Sequence, residues 1–118
     1  MKCLIADDAA FMRMTLKQII QPLGFDTIVE AANGEEAVQL FKKEKPDLVT
    51  MDITMPEKDG LAAIKEIIAM DPKAKIVVCS AMGQKDIVLE AIQSGAKNFI
   101  VKPFDAPKVT DIIKAVTS

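Results

Sequence analysis

Three residue types that carry much of enzyme chemistry are missing from this sequence of 118 residues. It contains no histidine, no tryptophan and no tyrosine, and its aromatic residues are five phenylalanines. The absence of histidine excludes nucleophilic sites built on Ser-His or Cys-His pairs, together with most metal sites built on imidazole. Any chemistry performed by this chain must therefore use carboxylates, hydroxyls and lysines.

Cysteine, excess charge and long apolar runs are also scarce. Cys3 and Cys79 form no Cys-x-x-Cys pair and lie in apolar runs, so we expect buried free thiols rather than a redox or zinc site. The formal net charge of -2 lacks the basic character that is typical of nucleic-acid binding. Because no apolar run could cross a bilayer and the N-terminus lacks the pattern of a secretory signal, we expect a soluble cytoplasmic protein that binds neither nucleic acid nor membrane.

Short runs rich in Val, Ile and Leu alternate along the chain with segments whose apolar residues repeat at helical spacing. The runs predict β-strands at residues 3–6, 27–30, 47–51, 75–79 and 98–102. The segments between and after them predict five helices, whose buried residues are expected to be Met12, Leu16, Ile19 and Leu23; Ala37, Leu40 and Phe41; Leu61, Ile64 and Ile68; Val88, Ala91 and Ile92; and Val109, Ile112 and Val116.

This alternation predicts one α/β domain over residues 1–118. Five strands with helical crossovers form a doubly wound parallel sheet, and the flavodoxin-like strand order 2-1-3-4-5 is expected. In that order Cys3 and Cys79 lie on strands separated by a third, about 10 Å apart, which is too far for a disulfide.

Polar residues follow the predicted strands at the edge where open parallel sheets bind their ligands. They are Asp7 and Asp8 after strand one, Asp52 after strand three, Ser80 after strand four and Lys102 after strand five. Adjacent carboxylates repel each other unless a cation lies between them. Three carboxylates and one lysine sum to a charge that one divalent ion would neutralise, and an all-oxygen ligand set favours Mg²⁺.

Each of these residues, taken alone, also fits a structural role. An aspartate pair before a helix is typical of an N-terminal cap, and a lone serine is often a cap as well. Lys102 could be a solvated side chain, and Phe99 could be a core residue. The functional interpretation is favoured because five polar residues at strand ends converge on one edge of the sheet with complementary charges.

Four segments carry a resemblance to a known family: DDAAFMRM (7–14), TMDITMPEKDG (50–60), CSAMGQ (79–84) and FIVKPF (99–104). They strongly resemble the receiver domains of two-component response regulators, and the resemblance is strongest to the single-domain chemotaxis regulators. It covers the whole chain. The resemblance implies that Asp52 accepts a phosphoryl group from a histidine kinase of the chemotaxis system. It also implies that Asp7, Asp8, Asp52 and the backbone carbonyl of Thr54 hold Mg²⁺.

The resemblance further implies how the phosphoryl group is sensed. Lys102, in a cis Lys102-Pro103 step, pairs with phosphoryl oxygens, and Ser80 donates a hydrogen bond to one of them. Phe99 stands where the family has an aromatic switch residue, often tyrosine. The face formed by helix four, strand five and helix five would then bind the flagellar motor switch protein. We expect an acidic amphipathic segment there, because this face is predicted to carry the lysines Lys85, Lys97, Lys108 and Lys114.

The family pattern also bears on the lifetime of the signal. Thr54 and Met82 stand where side chains flank the path of the hydrolytic water, and neither offers a carboxylate or an amide to position that water. We therefore expect slow self-dephosphorylation, helped by a separate phosphatase. On this interpretation the chain is a magnesium-dependent, self-phosphorylating and self-dephosphorylating monomeric switch rather than a turnover enzyme.

Three other interpretations remain open from the sequence. A flavin-binding flavodoxin would have the same architecture, although the segment DDAAF is not rich in Ser, Thr or Gly and the chain has no Trp or Tyr. A small magnesium-dependent phosphatase could use Asp8 or Asp52 as its nucleophile. The third is a receiver domain excised from a longer regulator with a different output.

Overall fold

The computed structural model describes residues 1–53, 55 and 59–118. Its strands are β1 (Lys2–Ala6), β2 (Thr27–Ala31), β3 (Leu48–Asp52), β4 (Ile76–Ser80) and β5 (Asn98–Val101). Its α-helices are α1 (Ala10–Ile20), α2 (Gly34–Glu44), α3 (Gly60–Met70), α4 (Lys85–Gln93) and α5 (Ala106–Thr117), with a 3-10 helix at Gln21–Leu23. Within the described residues, no helix combines the length and apolar character needed to cross a membrane.

The five strands form one parallel sheet in the order β2-β1-β3-β4-β5. This confirms the predicted doubly wound, flavodoxin-like fold. Every residue of β3 and β4 is buried, whereas the edge strands β2 and β5 are partly exposed. The unbroken apolar runs of the central strands therefore reflect burial on both faces of the sheet.

Helices cover both faces of this sheet. Successive residues of a strand point to opposite faces, so Leu4 and Val49 pack in the core beneath α2, α3 and α4, whereas Cys3 and Leu48 pack in the core beneath α1 and α5. Cys3 and Cys79 are buried free thiols on β1 and β4, with β3 between them. The expectation that they form no disulfide is confirmed.

Polar side chains fix where several helices begin. Asn33 Oδ1 accepts a hydrogen bond of 2.8 Å from the backbone N–H of Glu36, and Asp59 Oδ1 accepts one of 2.8 Å from the backbone N–H of Ala62. Each bond satisfies an N–H group that the first helical turn leaves without a partner. The Asp59 cap sets the first residue of α3 at Gly60, which lies against the end of β3.

The buried faces of all five helices differ in detail from the sequence prediction, and six residues expected in the core are only partly buried: Met12, Ile19, Leu40, Leu61, Ile68 and Ile92. Helix α1 ends at the buried residue Ile20, and Leu23 lies in the 3-10 helix that follows, only partly buried. In α5, Ile113 is buried, whereas Ile112 and Val116 are partly buried against the same core. Where two apolar residues are adjacent in a helix, the helical period is compatible with burial of either one, and the packing of the folded protein determines which is buried.

Candidate functional site

The polar residues predicted at the strand ends come together at one edge of the sheet. Asp7 directly follows β1, Asp52 ends β3, Ser80 ends β4 and Lys102 directly follows β5. Asp7, Asp52 and Ser80 are buried, and Asp8 is exposed. A hydrogen bond of 2.7 Å from the backbone N–H of Lys102 to the carbonyl oxygen of Ser80 holds the ends of β5 and β4 together.

Lys102 links two of the carboxylates. Its Nζ lies 3.0 Å from Oδ2 of Asp7 and 3.4 Å from Oδ1 of Asp52. Partial burial lowers the pKa of Lys102, but hydrogen bonding and charge attraction from Asp7 and Asp52 outweigh that effect, and its pKa is raised above the ordinary lysine value. The ammonium group is therefore a fixed positive charge at neutral pH.

The three carboxylates are close enough to share a cation. Asp7, Asp8 and Asp52 each present one oxygen, and these oxygens all lie within 4.8 Å of one another. Mg²⁺ binds oxygens at ~2.1 Å, so any two of its ligands lie at most about 4.2 Å apart, and a small contraction of this cluster would let the three residues hold the ion. Oδ2 of Asp7 is buried, and the ammonium of Lys102 lies 3.0 Å from it. The donor set and its spacing fit Mg²⁺.

The aspartate pair does not cap helix α1. The capping residue is Ala9, which has no capping side chain, and Oδ1 of Asp7 instead accepts a hydrogen bond of 2.9 Å from the backbone N–H of Ala9. This local bond turns the chain from β1 towards α1. The capping alternative for the pair is therefore wrong, and the two carboxylates are left to face the site.

Ser80, which ends β4 at the candidate site, also lines an apolar groove. The groove runs between α4 and β5, has a volume of about 530 Å³, and includes Phe99, Val88, Leu89 and Ile92 in its lining. Phe99 is 42 % exposed, so the interpretation of Phe99 as a core residue is wrong. The candidate site and the exposed phenyl ring therefore border one continuous groove.

The lysines expected beside this groove do not all lie there. Lys85 lines the groove, and Lys108 lines a second one of about 500 Å³ that also borders Phe99. Lys97 precedes β5 at the opposite edge of the sheet and lines a separate cavity with Lys73. Lys97 therefore does not line the groove beside Phe99, although its cavity also includes Asn98 of β5 and Ala115 of α5. Its membership of the basic face stays a prediction.

Neither thiol is suited to chemistry. Burial raises the pKa of Cys3 to about 12. The pKa of Cys79 is raised further, first by burial and then by the negative charge of Asp52, which is its register partner across β3 and β4. Since a thiol reacts as its thiolate, both cysteines are inert at neutral pH.

Three residues that the sequence analysis did not single out also contact the site. Arg13 donates a hydrogen bond to the backbone of Asp7, Glu30 pairs with Arg13, and Gly60 packs on the backbone of Asp52. An arginine five residues after the aspartate pair was the available signal, but its partners depend on the tertiary fold. The Lys102-Pro103 bond is cis, as predicted. Thr54, predicted to offer a carbonyl to Mg²⁺, lies outside the described residues.

Comparison with known proteins identifies the family. Residues 3–114 match the response regulator receiver domain. The chain belongs to this family. The receiver domain is 59 % identical to a chemotaxis protein CheY of Thermotoga maritima over 98 % of this chain and 97 % of the relative. It is 57 % identical to a CheY of Bacillus subtilis, over 95 % of this chain and 93 % of the relative.

Solved structures agree with this assignment. The CheY chain in a CheX-CheY-BeF3-Mg complex from Borrelia burgdorferi superposes with a TM-score of 0.93 at 40 % identity, covering 99 % of this chain and 89 % of that one. The response regulator domain of Thermotoga maritima CheB superposes with a TM-score of 0.90 at 34 % identity, covering 99 % of this chain and 96 % of that one. The chain is thus a chemotaxis CheY-like receiver domain.

Proposed function

We propose that this receiver domain is a chemotaxis switch that accepts a phosphoryl group on Asp52 from a histidine kinase and, once modified, binds the flagellar motor switch. The observation that supports it most directly is the convergence of Asp7, Asp8 and Asp52 within 4.8 Å, with Lys102 bridging two of them. The donor histidine must come from another protein, because this chain has none.

The proposed reaction is a transfer between two nucleophiles. An oxygen of the Asp52 carboxylate attacks the phosphorus of a phosphohistidine, and the new O–P bond forms as the P–N bond breaks. The electron pair of the broken bond stays on the imidazole nitrogen, which takes a proton from water. The product is an acyl phosphate on Asp52. Because the site lies at the open edge of the sheet and Asp8 is exposed, the phosphohistidine can approach from solvent.

The surrounding residues would neutralise part of the negative charge that is brought together on the carboxylates and the phosphoryl oxygens during transfer. Asp7, Asp8 and Asp52 would hold Mg²⁺, as their spacing allows. When bound, Mg²⁺ would neutralise negative charge on the carboxylates and on the phosphoryl oxygens. Lys102, already within 3.4 Å of Asp52, would exchange part of its contact with the carboxylates for a phosphoryl oxygen. Because the ammonium is already held beside Asp52, only a short movement would bring its positive charge to the transferred group.

The proposed output runs through Ser80 to the groove beside it. A phosphoryl group on Asp52 would draw the Ser80 hydroxyl towards it, and Ser80 borders the groove that Phe99 lines. A change in Phe99 then alters the surface offered to an amphipathic segment of the motor switch. The chemotaxis assignment is supported by four relatives at 53–59 % identity, all of which are CheY proteins.

The remaining parts of the proposal concern how the signal ends. We expect a cytoplasmic monomer that acts stoichiometrically, not as a turnover enzyme, and a separate phosphatase that shortens the life of the acyl phosphate. A relative from Borrelia burgdorferi is in complex with a second protein, CheX, which supports the view that such a domain can be covered by a partner.

Phosphorylation by a small donor tests the proposal. The protein is mixed with acetyl phosphate, with and without Mg²⁺, and its intact mass is compared with that of an Asp52→Asn variant. A gain of one phosphoryl group that requires both Mg²⁺ and Asp52 is the expected result. No gain under conditions that modify an established receiver domain would overturn the proposal, and turnover of ordinary phosphate esters would favour the phosphatase alternative.

A further inference from the structure

A single arginine connects the first turn of α1 to the aspartate pair. Nη1 of Arg13 donates a hydrogen bond of 2.6 Å to the backbone carbonyl of Asp7, and its Nε donates one of 2.9 Å to Oε1 of Glu30. The Arg13 side chain is 18 % exposed. A guanidinium group that spans two oxygens in a largely enclosed position has a defined geometry, because its donors form a rigid planar fork.

These contacts complete the fixation of Asp7. Its backbone N–H donates to the carbonyl oxygen of Ala31 at 3.0 Å, and its Oδ1 accepts from the backbone N–H of Ala9 at 2.9 Å. The Arg13 bond holds the remaining backbone group, the carbonyl that begins the Asp7-Asp8 peptide. The plane of this peptide sets the direction from which Asp8 leaves the backbone, so Arg13 controls the relative placement of the two carboxylates.

Glu30 gives this arrangement a second function. It lies on β2, a different element from the aspartates, and its carboxylate pairs with Arg13 at 2.9 Å. An uncompensated guanidinium beside a cation site would repel the cation. Glu30 both anchors the guanidinium and offsets its charge, so Arg13 can orient Asp7 without a large electrostatic penalty at the site.

We propose that Arg13, anchored by Glu30, is a positioning residue for the magnesium site and sets the affinity of Asp7 and Asp8 for the ion. This inference rests on the proposed role of Mg²⁺. Arg13 touches neither the ion nor the phosphoryl group; it acts through the backbone of Asp7. Residues that orient metal ligands in this way are typically worth about ten- to a hundredfold in metal affinity.

If Arg13 positions the carboxylates, its removal should change the Mg²⁺ affinity in the opposite direction from that expected if it acts only as a nearby charge. If the guanidinium acted only as a nearby positive charge, its removal would strengthen Mg²⁺ binding. If it orients the carboxylates, its removal weakens binding, and the weakening persists when salt screens the charge. The sign of the change in Mg²⁺ affinity therefore separates the two explanations.

The experiment measures Mg²⁺ binding directly by isothermal titration calorimetry, without a phosphoryl donor. For Arg13→Ala we expect a dissociation constant raised about tenfold, at low salt and at about 0.5 M KCl alike. Lys17→Ala is the matched control, since it removes a positive charge from the same helix one turn further from the aspartates, and a change below about twofold is expected. Arg13→Lys keeps the charge but loses the fork, so an intermediate constant is expected.

A kinetic measurement adds a second readout. In phosphorylation by acetyl phosphate, Arg13→Ala should need more Mg²⁺ to reach half its maximal rate, while the maximal rate at saturating Mg²⁺ stays within about threefold of wild type. Circular dichroism checks that each variant is folded. If Arg13→Ala does not fold, Arg13→Lys carries the test, and an unchanged dissociation constant for it overturns the inference.

Three results overturn the proposal. Arg13→Ala could bind Mg²⁺ as tightly as wild type or more tightly, its defect could vanish at high salt, or Lys17→Ala could show the same loss. Failure of the wild-type protein to bind Mg²⁺ would overturn the proposed magnesium site itself and this inference with it. A wild-type protein that binds Mg²⁺ beside an unaffected Arg13→Ala variant would overturn the inference alone.

Discussion

Gly60, the first residue of α3, packs directly on the backbone of Asp52. A Cβ atom at Gly60 would overlap with the carbonyl oxygen of Asp52. The backbone N–H of Gly60 donates a hydrogen bond of 3.2 Å to the carbonyl oxygen of Ile53. The start of the helix and the end of the strand therefore touch where the proposed phosphoacceptor is presented. Any side chain at Gly60 must move one of the two.

Gly60→Ala should lower both stability and phosphorylation. Relieving such an overlap by a backbone shift typically costs about 1–3 kcal/mol, and the shift would displace Asp52 from Lys102. Urea denaturation and the rate of phosphorylation by acetyl phosphate measure the two effects. Gly83→Ala is the control, because Gly83 has open space around a φ of 89° and so tests backbone strain without a clash. Normal phosphorylation of Gly60→Ala would contradict the prediction.

Lys102→Met should have opposite effects on metal binding and on phosphorylation. The ammonium lies 3.0 Å from Asp7 and 3.4 Å from Asp52, so its removal leaves the carboxylates more negative. We expect Mg²⁺ to bind about tenfold more tightly, while phosphorylation slows because the phosphoryl group loses its lysine. Calorimetry and intact-mass kinetics measure these changes. Lys85→Met, in the neighbouring groove, is the control, and weaker Mg²⁺ binding by Lys102→Met would refute the proposed competition.

The raised pKa of Lys102 makes a specific prediction about alkaline pH. Its folded-state pKa exceeds the ordinary lysine value of 10.5, so the folded protein holds this proton more tightly than the unfolded chain does. The resulting stabilisation is fully present below pH 10.5 and is lost as pH rises through the folded-state pKa. Urea denaturation of wild type and Lys102→Met in Mg²⁺-free buffer should show a constant difference in the free energy of unfolding at neutral and mildly alkaline pH. At higher pH the free energy of unfolding of wild type should fall relative to that of the variant. A difference that stays constant over the whole pH range would contradict the assigned ion pairs.

The strand ends were predictable from the sequence because each signal is local. A run of apolar residues ending in Asp, Ser or Lys marks the edge of a parallel sheet, and sheet topology brings those ends together. Arg13 and Glu30 were not predictable in the same way, because they lie 17 residues apart on a helix and a strand. Phe99 shows a further limit: an aromatic residue within an apolar run suggests burial, yet β5 is an edge strand with an exposed side.

Phe99→Ala should separate output from phosphorylation. Its phenyl ring is 42 % exposed beside the apolar groove, where a partner segment would cover it. We expect the affinity of the phosphorylated protein for a motor-switch peptide to fall about tenfold, the loss typical of a buried aromatic contact, with no change in the rate of phosphorylation. Fluorescence anisotropy of a labelled peptide measures this. Phe11→Ala removes another exposed phenyl ring, on α1, and equal losses for both variants would argue against the groove as the docking site.

The lifetime of the acyl phosphate should depend on two side chains that offer neither a carboxylate nor an amide to position water. Met82 is 81 % exposed and follows Ser80 by two residues, and Thr54 follows Asp52 by two in the sequence. Replacing them in a Thr54→Asn, Met82→Glu double variant adds an amide and a carboxylate, groups that can orient a hydrolytic water. A well-placed group of this kind contributes about a hundredfold or more to proton transfer, and an exposed one should contribute less, so we expect the lifetime to shorten by roughly tenfold. The decay of the phosphorylated mass after removal of acetyl phosphate measures it, with Met82→Gln as the control that adds a polar group without charge. An unchanged lifetime in the double variant would mean that these two side chains do not limit the rate of hydrolysis. The rate would then be limited by the access of water past Lys102 or by the contacts that bind the phosphoryl group.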